Sequence, residues 1–222
     1  MTGPVGRDGR DADRAFDAIL AEIVSGALPA GVKLNEPDLS HRHGVKRGPL
    51  REAIRRLQGR NLITYTPNIG ARIIKHSADD ILQMYEVREA LESLAARLCA
   101  DNLSDLEIDE LRTASMEGPF PDGLRPRELE AHKSFHQQIV ARCGNEMISR
   151  TLDESFYQLL RLWRSNHAWL RHSDEHSRVD HVRIAEAIFY RDGASAELLM
   201  RNHIRRLRFI LVERVNKGGF RD

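Results

Sequence analysis

Hydrophobic positions recur every three or four residues through most of the chain, and this spacing predicts a mainly α-helical protein. The first amphipathic pattern covers residues 12–25 and ends in a turn rich in glycine and proline at residues 26–31. Asn35 is a candidate N-cap for a short second helix, and Gly44 is positioned to end that helix. Two helices joined by a tight glycine-containing turn predict a helix-turn-helix.

A third helical pattern follows at residues 48–60, with Pro49 expected at its first helical position. Two short β-rich runs come next, at residues 62–66 and 71–74, around a turn of proline, asparagine and glycine. Three helices and a hairpin predict a winged helix-turn-helix domain over residues 1–75, whose third helix is suited to the major groove of DNA.

The remainder of the chain shows helical spacing with little strand signal. Asp79 or Asp80 is expected to cap a helix to about residue 100, and Ser104 to cap the next helix, to about residue 117. A linker rich in glycine and proline follows at residues 118–127, before further helical patterns at 128–142, 146–167, 174–191 and 194–216. Residues 76–222 are therefore predicted to form an all-α helical bundle.

Charge is distributed unevenly between these two regions. Residues 1–75 hold 13 Lys and Arg against 8 Asp and Glu, whereas residues 76–222 hold 21 against 25. The excess is concentrated at residues 42–60, in Arg42, Lys46, Arg47, Arg51, Arg55, Arg56 and Arg60. Such a cluster can neutralise DNA phosphates, although a solvated helix face would have the same composition.

Composition limits the location and the redox chemistry of the protein. The sequence has neither an apolar run long enough to span a membrane nor the apolar core of a signal peptide, so we expect a cytoplasmic protein without a membrane partner. Its two cysteines, Cys99 and Cys143, are too few for a disulfide framework. We expect both to be core residues.

The N-terminal residues also resemble GntR-type transcription regulators, which carry a G-x-L-x-x-G turn and a V-S-R-x-P-V-R-E-A-L recognition segment. The matching positions are Gly26, Leu28, Pro29, Gly31, Leu34, Leu39, Gly44, Val45, Arg47, Pro49, Leu50, Arg51, Glu52, Ala53, Leu57, Leu62, Ile63, Asn68 and Gly70. The resemblance implies that Arg47 and Arg51 contact operator bases or phosphates and that Gly70 lies at the wing tip in the minor groove. Lys46 and Gly48 also belong to the predicted DNA-binding set, and they depart from the residues that the family often has there.

Four of the ten histidines are candidate metal ligands. His132 and His136 are four residues apart and share one face of a predicted helix, a spacing that lets two imidazoles bind one ion. His181 and His203 fall on two later helices that a bundle can bring together. Taken singly, each histidine is more often an ordinary surface residue or a satisfied core residue than a metal ligand.

Residues 84–207 resemble the FCD effector domain of the FadR subgroup of the same family. The resemblance rests on the runs 87–92, 135–136, 143–145, 175–181, 184–187 and 200–203. Such domains typically hold a divalent metal through an Asp in a D-x-x-x-H pair and through later histidines. The resemblance therefore implies a site formed by His136, His181 and His203, with His132 at the position of the Asp, and a histidine-rich shell suits zinc or nickel.

The predicted effector is a small organic acid. A divalent ion bound by three or four imidazoles keeps coordination positions that a carboxylate can fill. Arg88 matches an arginine that lines the cavity of the resembled domain and can grip a carboxylate, and Glu92 lies on the same helix face. The alternative interpretation is an ion pair between Arg88 and Glu92 within the helix.

Together these features predict a ligand-responsive DNA-binding transcription regulator, and the resemblance favours a homodimer on a palindromic operator. One alternative function is a metal-dependent hydrolase, because a histidine-bound metal can activate water. The sequence lacks an HExxH motif and a nucleophile elbow, and a hydrolase would leave the winged helix unexplained. Another alternative is a structural zinc in a regulator that does not respond to ligands.

Overall fold

The computed structural model of the chain describes residues 7–116, 134–165 and 174–217. Contacts divide these residues into two compact units. The first unit holds residues 7–75 and 157–165, and the second holds residues 76–116, 134–156 and 174–217. The functional division of the chain at residue 75 remains a prediction.

The first unit begins with three helices, α1 (Arg7–Ser25), α2 (Glu36–His43) and α3 (Arg47–Gly59). Helix α1 packs against α3 through a buried stripe at helical spacing, and burial of such apolar surface is the main favourable term in folding. The largest fully buried side chains of these helices are Phe16, Ile19, Ile23, Leu39, Leu50 and Leu57. The predicted helix-turn-helix is confirmed.

The predicted ends of α2 are also confirmed. The side chain of Asn35 accepts a hydrogen bond from the Asp38 backbone N–H, and Gly44 ends the helix in the left-handed conformation, with φ of 60°. The prediction for α3 was less accurate. Lys46 keeps an extended backbone, so the helix begins at Arg47 and Pro49 is its third residue rather than its first.

The predicted hairpin forms the wing, with β1 (Ile63–Thr66) antiparallel to β2 (Gly70–Ile73) and Ile63 opposite Ile73. Gly70 has φ of 97°, a value that a side chain at Cβ disfavours. The segment between α1 and α2 runs along β2, where the Leu34 N–H donates to the Ala71 carbonyl over 2.9 Å. The sequence analysis missed this second pairing of β2, because the segment has too few residues to show alternation.

The described C-terminal elements are all helical, as predicted. They are α4 (Ala78–Asn102), α5 (Asp105–Met116), α6 (Phe135–Arg142), α7 (Glu146–Thr151), α8 (Glu154–Ser165), α9 (Asp174–Phe189) and α10 (Gly193–Asn216). Helix α4 packs against α6 and α10, and α9 packs against α5 and α10. Ion pairs between α4 and α10 include Glu86 with Arg208 and Glu89 with Arg205. None of the described helices is long and apolar enough to cross a membrane.

Two details of the helix prediction were wrong. Ser77, rather than Asp79 or Asp80, is the N-cap of α4, and it forms a reciprocal capping box with Asp80. The single helix predicted over 146–167 is interrupted after Thr151, because Asp153 caps a new helix by accepting from the Phe156 N–H over 2.9 Å. Ser104 caps α5, as predicted. The linker at 118–127 and the predicted helix start at 128 lie outside the described residues.

The capping box of α4 provides a test of the fold. Replacing Ser77 by Ala should lower the free energy of unfolding by about 1 kcal/mol, because the Asp80 N–H at the helix start loses its acceptor. Asp79→Ala is the matched control on the same turn, with an expected loss of a few tenths of a kcal/mol. Chemical denaturation measures both values. Equal losses would contradict the assignment of Ser77 as the cap.

Candidate functional site

The predicted DNA-contact residues lie at the start of α3. Lys46 is the N-cap residue, Arg47 and Gly48 are the first two helical residues, and Arg51 follows one turn later. All four are exposed, whereas Leu50 and Ile54 on the opposite face are buried. This arrangement leaves the start of α3 accessible to a DNA groove. Gly70 lies at the beginning of β2 on the wing.

The arginines near the end of α3 do not all belong to this accessible surface. The Arg56 guanidinium bonds Asp13 of α1 over 2.7 Å and lies 4.5 Å from the ring centre of Phe16. Arg60 covers the same ring at 4.6 Å. Both side chains therefore pack onto α1, which favours a role in stabilising the domain. Arg55, which pairs with Glu52, is exposed and available for phosphates.

In the second unit, three of the four predicted metal ligands come together. His136 of α6, His181 of α9 and His203 of α10 place one candidate ligand atom each within 4.8 Å of the others. Their ring centres are 4.8 to 5.2 Å apart. His132 lies outside the described residues, so its part in the site remains a prediction.

Carboxylates orient two of the three rings. Oε2 of Glu92 lies 2.6 Å from Nδ1 of His136, and Oδ2 of Asp180 lies 3.0 Å from Nδ1 of His203. An ionised carboxylate only accepts hydrogen bonds, so both Nδ1 atoms act as donors. In the neutral ring, the lone pair then belongs to Nε2. This pairing of carboxylate and imidazole is the usual way in which proteins orient a histidine ligand.

The local environment keeps His181 and His203 neutral and the Glu92 carboxylate charged. Burial, helped by the other two histidines, lowers the pKa of His181 far below its usual range. Burial also lowers the pKa of His203, to about 4, against the opposing hydrogen bond with Asp180. Burial alone would raise the pKa of Glu92, but the charge of Arg88 and the hydrogen bonds from His136 and Arg88 hold it well below its usual range. Neutral imidazoles are the form that binds metal.

The cluster fits a divalent metal ion. Nε2 of His136 and Nε2 of His181 are 3.1 Å apart, close to the separation of about 3.3 Å for two nitrogens bound to one tetrahedral zinc. A hydrogen bond between two neutral rings would give a similar distance. The third ring favours the metal ion over the hydrogen bond. Nε2 of His203 is buried and has no hydrogen-bond partner among the described residues. A buried lone pair at this position suits a metal ligand better than a satisfied core histidine.

The two predicted effector-binding residues form a buried ion pair. Nε of Arg88 donates to Oε1 of Glu92 over 2.6 Å, and one Nη donates to Oε2 over 3.3 Å. This is the intrahelical pair that the sequence allowed as the alternative interpretation. Glu92 also orients His136, so it contributes to the histidine cluster indirectly, by fixing the ring of a candidate ligand. A direct contact of either residue with an effector remains a prediction.

Sequence reasoning missed Asp180. Its carboxylate binds both His203 and Arg206, and these bonds lower its pKa against the effect of burial. The available signal was its position in the sequence, directly before the predicted ligand His181. That signal was weak, because an acidic residue next to a histidine is common on solvated helices.

Comparison with known proteins identifies the family. Residues 11–73 match the bacterial regulatory proteins of the GntR family, and residues 83–206 match the FCD domain. The chain belongs to the GntR family of transcription regulators, in the group with a C-terminal FCD domain. It is a DNA-binding transcriptional regulator and not an enzyme, and the hydrolase alternative has no support.

Individual relatives agree with this assignment. The chain is 27% identical over 197 residues to the HTH-type transcriptional repressor GlaR of Escherichia coli K12, covering 82% of this chain and 87% of that protein. It is 29% identical over 141 residues to the "Probable D-xylose utilization operon transcriptional repressor" of Paenarthrobacter nicotinovorans. That match covers 63% of this chain and only 62% of the relative.

Solved structures show the same fold. A GntR regulator from Rhodococcus sp. RHA1 superposes with a TM-score of 0.70 at 18% identity, covering 95% of this chain and 99% of that one. McbR of E. coli gives a TM-score of 0.65 at 17% identity, covering 92% and 98%. At these identities the likeness supports the winged helix and the helical C-terminal fold alone.

The buried ion pair of α4 gives a second test. Arg88→Ala should lower the free energy of unfolding by about 3–5 kcal/mol, because it leaves the Glu92 charge buried beside His136 without its cation. Arg205→Ala is the control: its pair with Glu89 is solvent-exposed on the arginine side and should be worth at most about 1 kcal/mol. Similar losses in chemical denaturation would show that Glu92 does not depend on Arg88.

Proposed function

We propose that this regulator holds a divalent metal ion in its FCD domain and senses a small organic acid there. One observation carries the proposal: three histidines from three helices converge, His203 buried and the other two partly buried, and carboxylates orient two of them with Nε2 toward the cluster. His136, His181 and His203 would hold the ion, with His132 as a further ligand. Zinc or nickel suits this set of nitrogen donors.

A metal held by imidazoles would supply a cationic centre with room for a carboxylate ligand. The three ligands bring no charge, and the nearby Glu92 and Asp180 are each paired with an arginine, Arg88 and Arg206 respectively. The positive charge of the ion would therefore be only partly compensated, which favours an anionic effector. Arg88 and Glu92 would bind the effector beside the cluster, which Glu92 contacts through His136.

We further propose that the protein acts in the cytoplasm as a homodimeric repressor on a palindromic operator. A two-fold symmetric dimer presents two recognition helices to two half-sites. Two of the relatives described above carry the word repressor in their names. The accessible residues at the start of α3, together with Gly70 on the wing, would make the DNA contacts.

The metal site can be tested by elemental analysis of the untagged protein after incubation with zinc or nickel. The wild type should retain one ion per chain, and the double variant His181→Ala, His203→Ala should retain none, because two of the described ligands are gone. The matched control is His41→Ala, His176→Ala, which removes two exposed histidines. Equal metal content in the wild type and the His181, His203 variant would contradict the site. A His132→Ala variant with unchanged affinity would remove that residue from the shell.

Ligand sensing needs a separate measurement. Isothermal titration of zinc-loaded protein with a panel of dicarboxylates should give binding that the metal-free protein lacks. Metal binding without any carboxylate binding would instead support a structural zinc.

DNA recognition is tested at Arg51. Replacing Arg51 by Ala should weaken binding to a duplex selected from a random library by about 1–3 kcal/mol, the range for one bidentate contact to guanine. Arg55→Ala is the matched control and should mainly reduce the salt dependence of binding, as expected for a phosphate contact. Mobility-shift assays at several salt concentrations distinguish the two effects. Unchanged affinity of the Arg51 variant would remove it from the DNA contacts.

A further inference from the structure

We propose that Glu36 is a positioning residue for DNA recognition: it holds the Arg51 guanidinium in the orientation that reads the operator. This inference rests on the proposed role of Arg51 in DNA binding. It concerns a residue of α2 that the sequence analysis did not include in the DNA-binding set.

The contact joins the two helices of the helix-turn-helix. Nε of Arg51 donates to Oε2 of Glu36 over 2.9 Å, across 15 positions of the chain. The side chain of Glu36 is only 26% exposed, whereas that of Arg51 is 66% exposed. The carboxylate is thus fixed at the junction of α2 and α3, and it holds the inner part of an arginine whose remainder faces solvent.

Glu36 is itself held in place by the start of its helix. It is the first residue of α2, directly after the Asn35 cap, where the helix dipole stabilises a negative charge. The position of its backbone is therefore fixed by the fold rather than by Arg51. The carboxylate of Glu36, which is fixed, can therefore restrict the mobile side chain of Arg51. Arg51 would restrict Glu36 less effectively.

The bond leaves enough hydrogen-bonding capacity for DNA. A guanidinium has five N–H donors, and a bidentate contact to guanine uses two of them. The contact to Glu36 uses the Nε donor. An arginine that is already oriented loses less side-chain freedom when it binds, so more of the contact energy appears as discrimination between bases.

The charge of Glu36 is otherwise unfavourable at this surface. A carboxylate near DNA repels phosphates, so its presence next to the recognition helix weakens non-specific binding. The hydrogen bond to Glu36 and the negative charge of Glu36 raise the pKa of the Arg51 guanidinium. When Glu36 is removed, the affinity for the specific operator should fall, whereas the affinity for non-specific DNA should stay the same or rise.

The same helix provides a control with the same charge change. Asp38 lies two residues from Glu36 and pairs with Arg42 over 2.7 Å, not with Arg51. Asp38→Ala removes one negative charge from α2 and leaves the bond between Glu36 and Arg51 intact. Any effect of charge alone should appear equally in both variants.

The experiment measures fluorescence anisotropy of the full chain with two duplexes, one selected from a random library by the wild type and one of scrambled sequence. Glu36→Ala should reduce the ratio of the two affinities by about tenfold, with binding to the scrambled duplex unchanged or tighter. Glu36→Gln keeps an acceptor for Nε and should restore most of the ratio. Asp38→Ala should leave the ratio unchanged. In an Arg51→Ala background, Glu36→Ala should cause no further loss of the ratio.

Melting temperatures of all variants separate positioning from folding, and Glu36→Met, which keeps the length of the side chain, replaces the alanine variant if that variant melts early. An equal ratio for the wild type, Glu36→Ala and Glu36→Met would overturn the positioning role. If Arg51→Ala lowers the ratio and Glu36→Ala does not, the DNA contact stands and positioning alone is wrong. If Arg51→Ala leaves the ratio unchanged, the proposed DNA contact has failed, and the positioning role fails with it.

Discussion

The hydrogen bond between the buried Glu92 carboxylate and Nδ1 of His136 is the interaction on which the histidine cluster depends. It joins α4 to α6, and it fixes which nitrogen of His136 faces His181. A fully buried carboxylate is stable only if its charge is compensated, and Arg88 provides that compensation within the same helix. The ion pair between Arg88 and Glu92, which the sequence analysis treated as an alternative to effector binding, therefore helps to orient the candidate ligand His136.

Both units use the same physical device at different degrees of burial. In the FCD domain, carboxylates orient imidazoles in a largely buried environment, where an unpaired polar group is costly. In the winged helix, the Glu36 carboxylate holds an arginine that is largely exposed. In each case a side chain fixed by the fold restricts one that is proposed to bind metal or DNA. Precise placement of this kind is what recognition of a base or a metal requires.

The sequence predicted the parts of the structure that depend on local signals. Hydrophobic spacing, the cap at Asn35 and the turn before Gly70 gave the winged helix because each signal lies within a few residues of its effect. The break before Asp153 was missed because its cap competes with an apolar pattern that continues through it. The histidines were found by spacing and resemblance. Their partners Glu92 and Asp180 were assigned to another role or overlooked, because contacts between helices distant in the chain leave no local pattern.

Anomalous diffraction from crystals of the zinc-loaded protein, recorded on both sides of the zinc absorption edge, tests the metal-centred account most directly. One anomalous peak is expected about 2.0–2.1 Å from Nε2 of each of His136, His181 and His203, with Nδ1 of His136 still bonded to Glu92. A peak elsewhere, ligation through Nδ1, or the absence of a peak in protein that was incubated with zinc would contradict it.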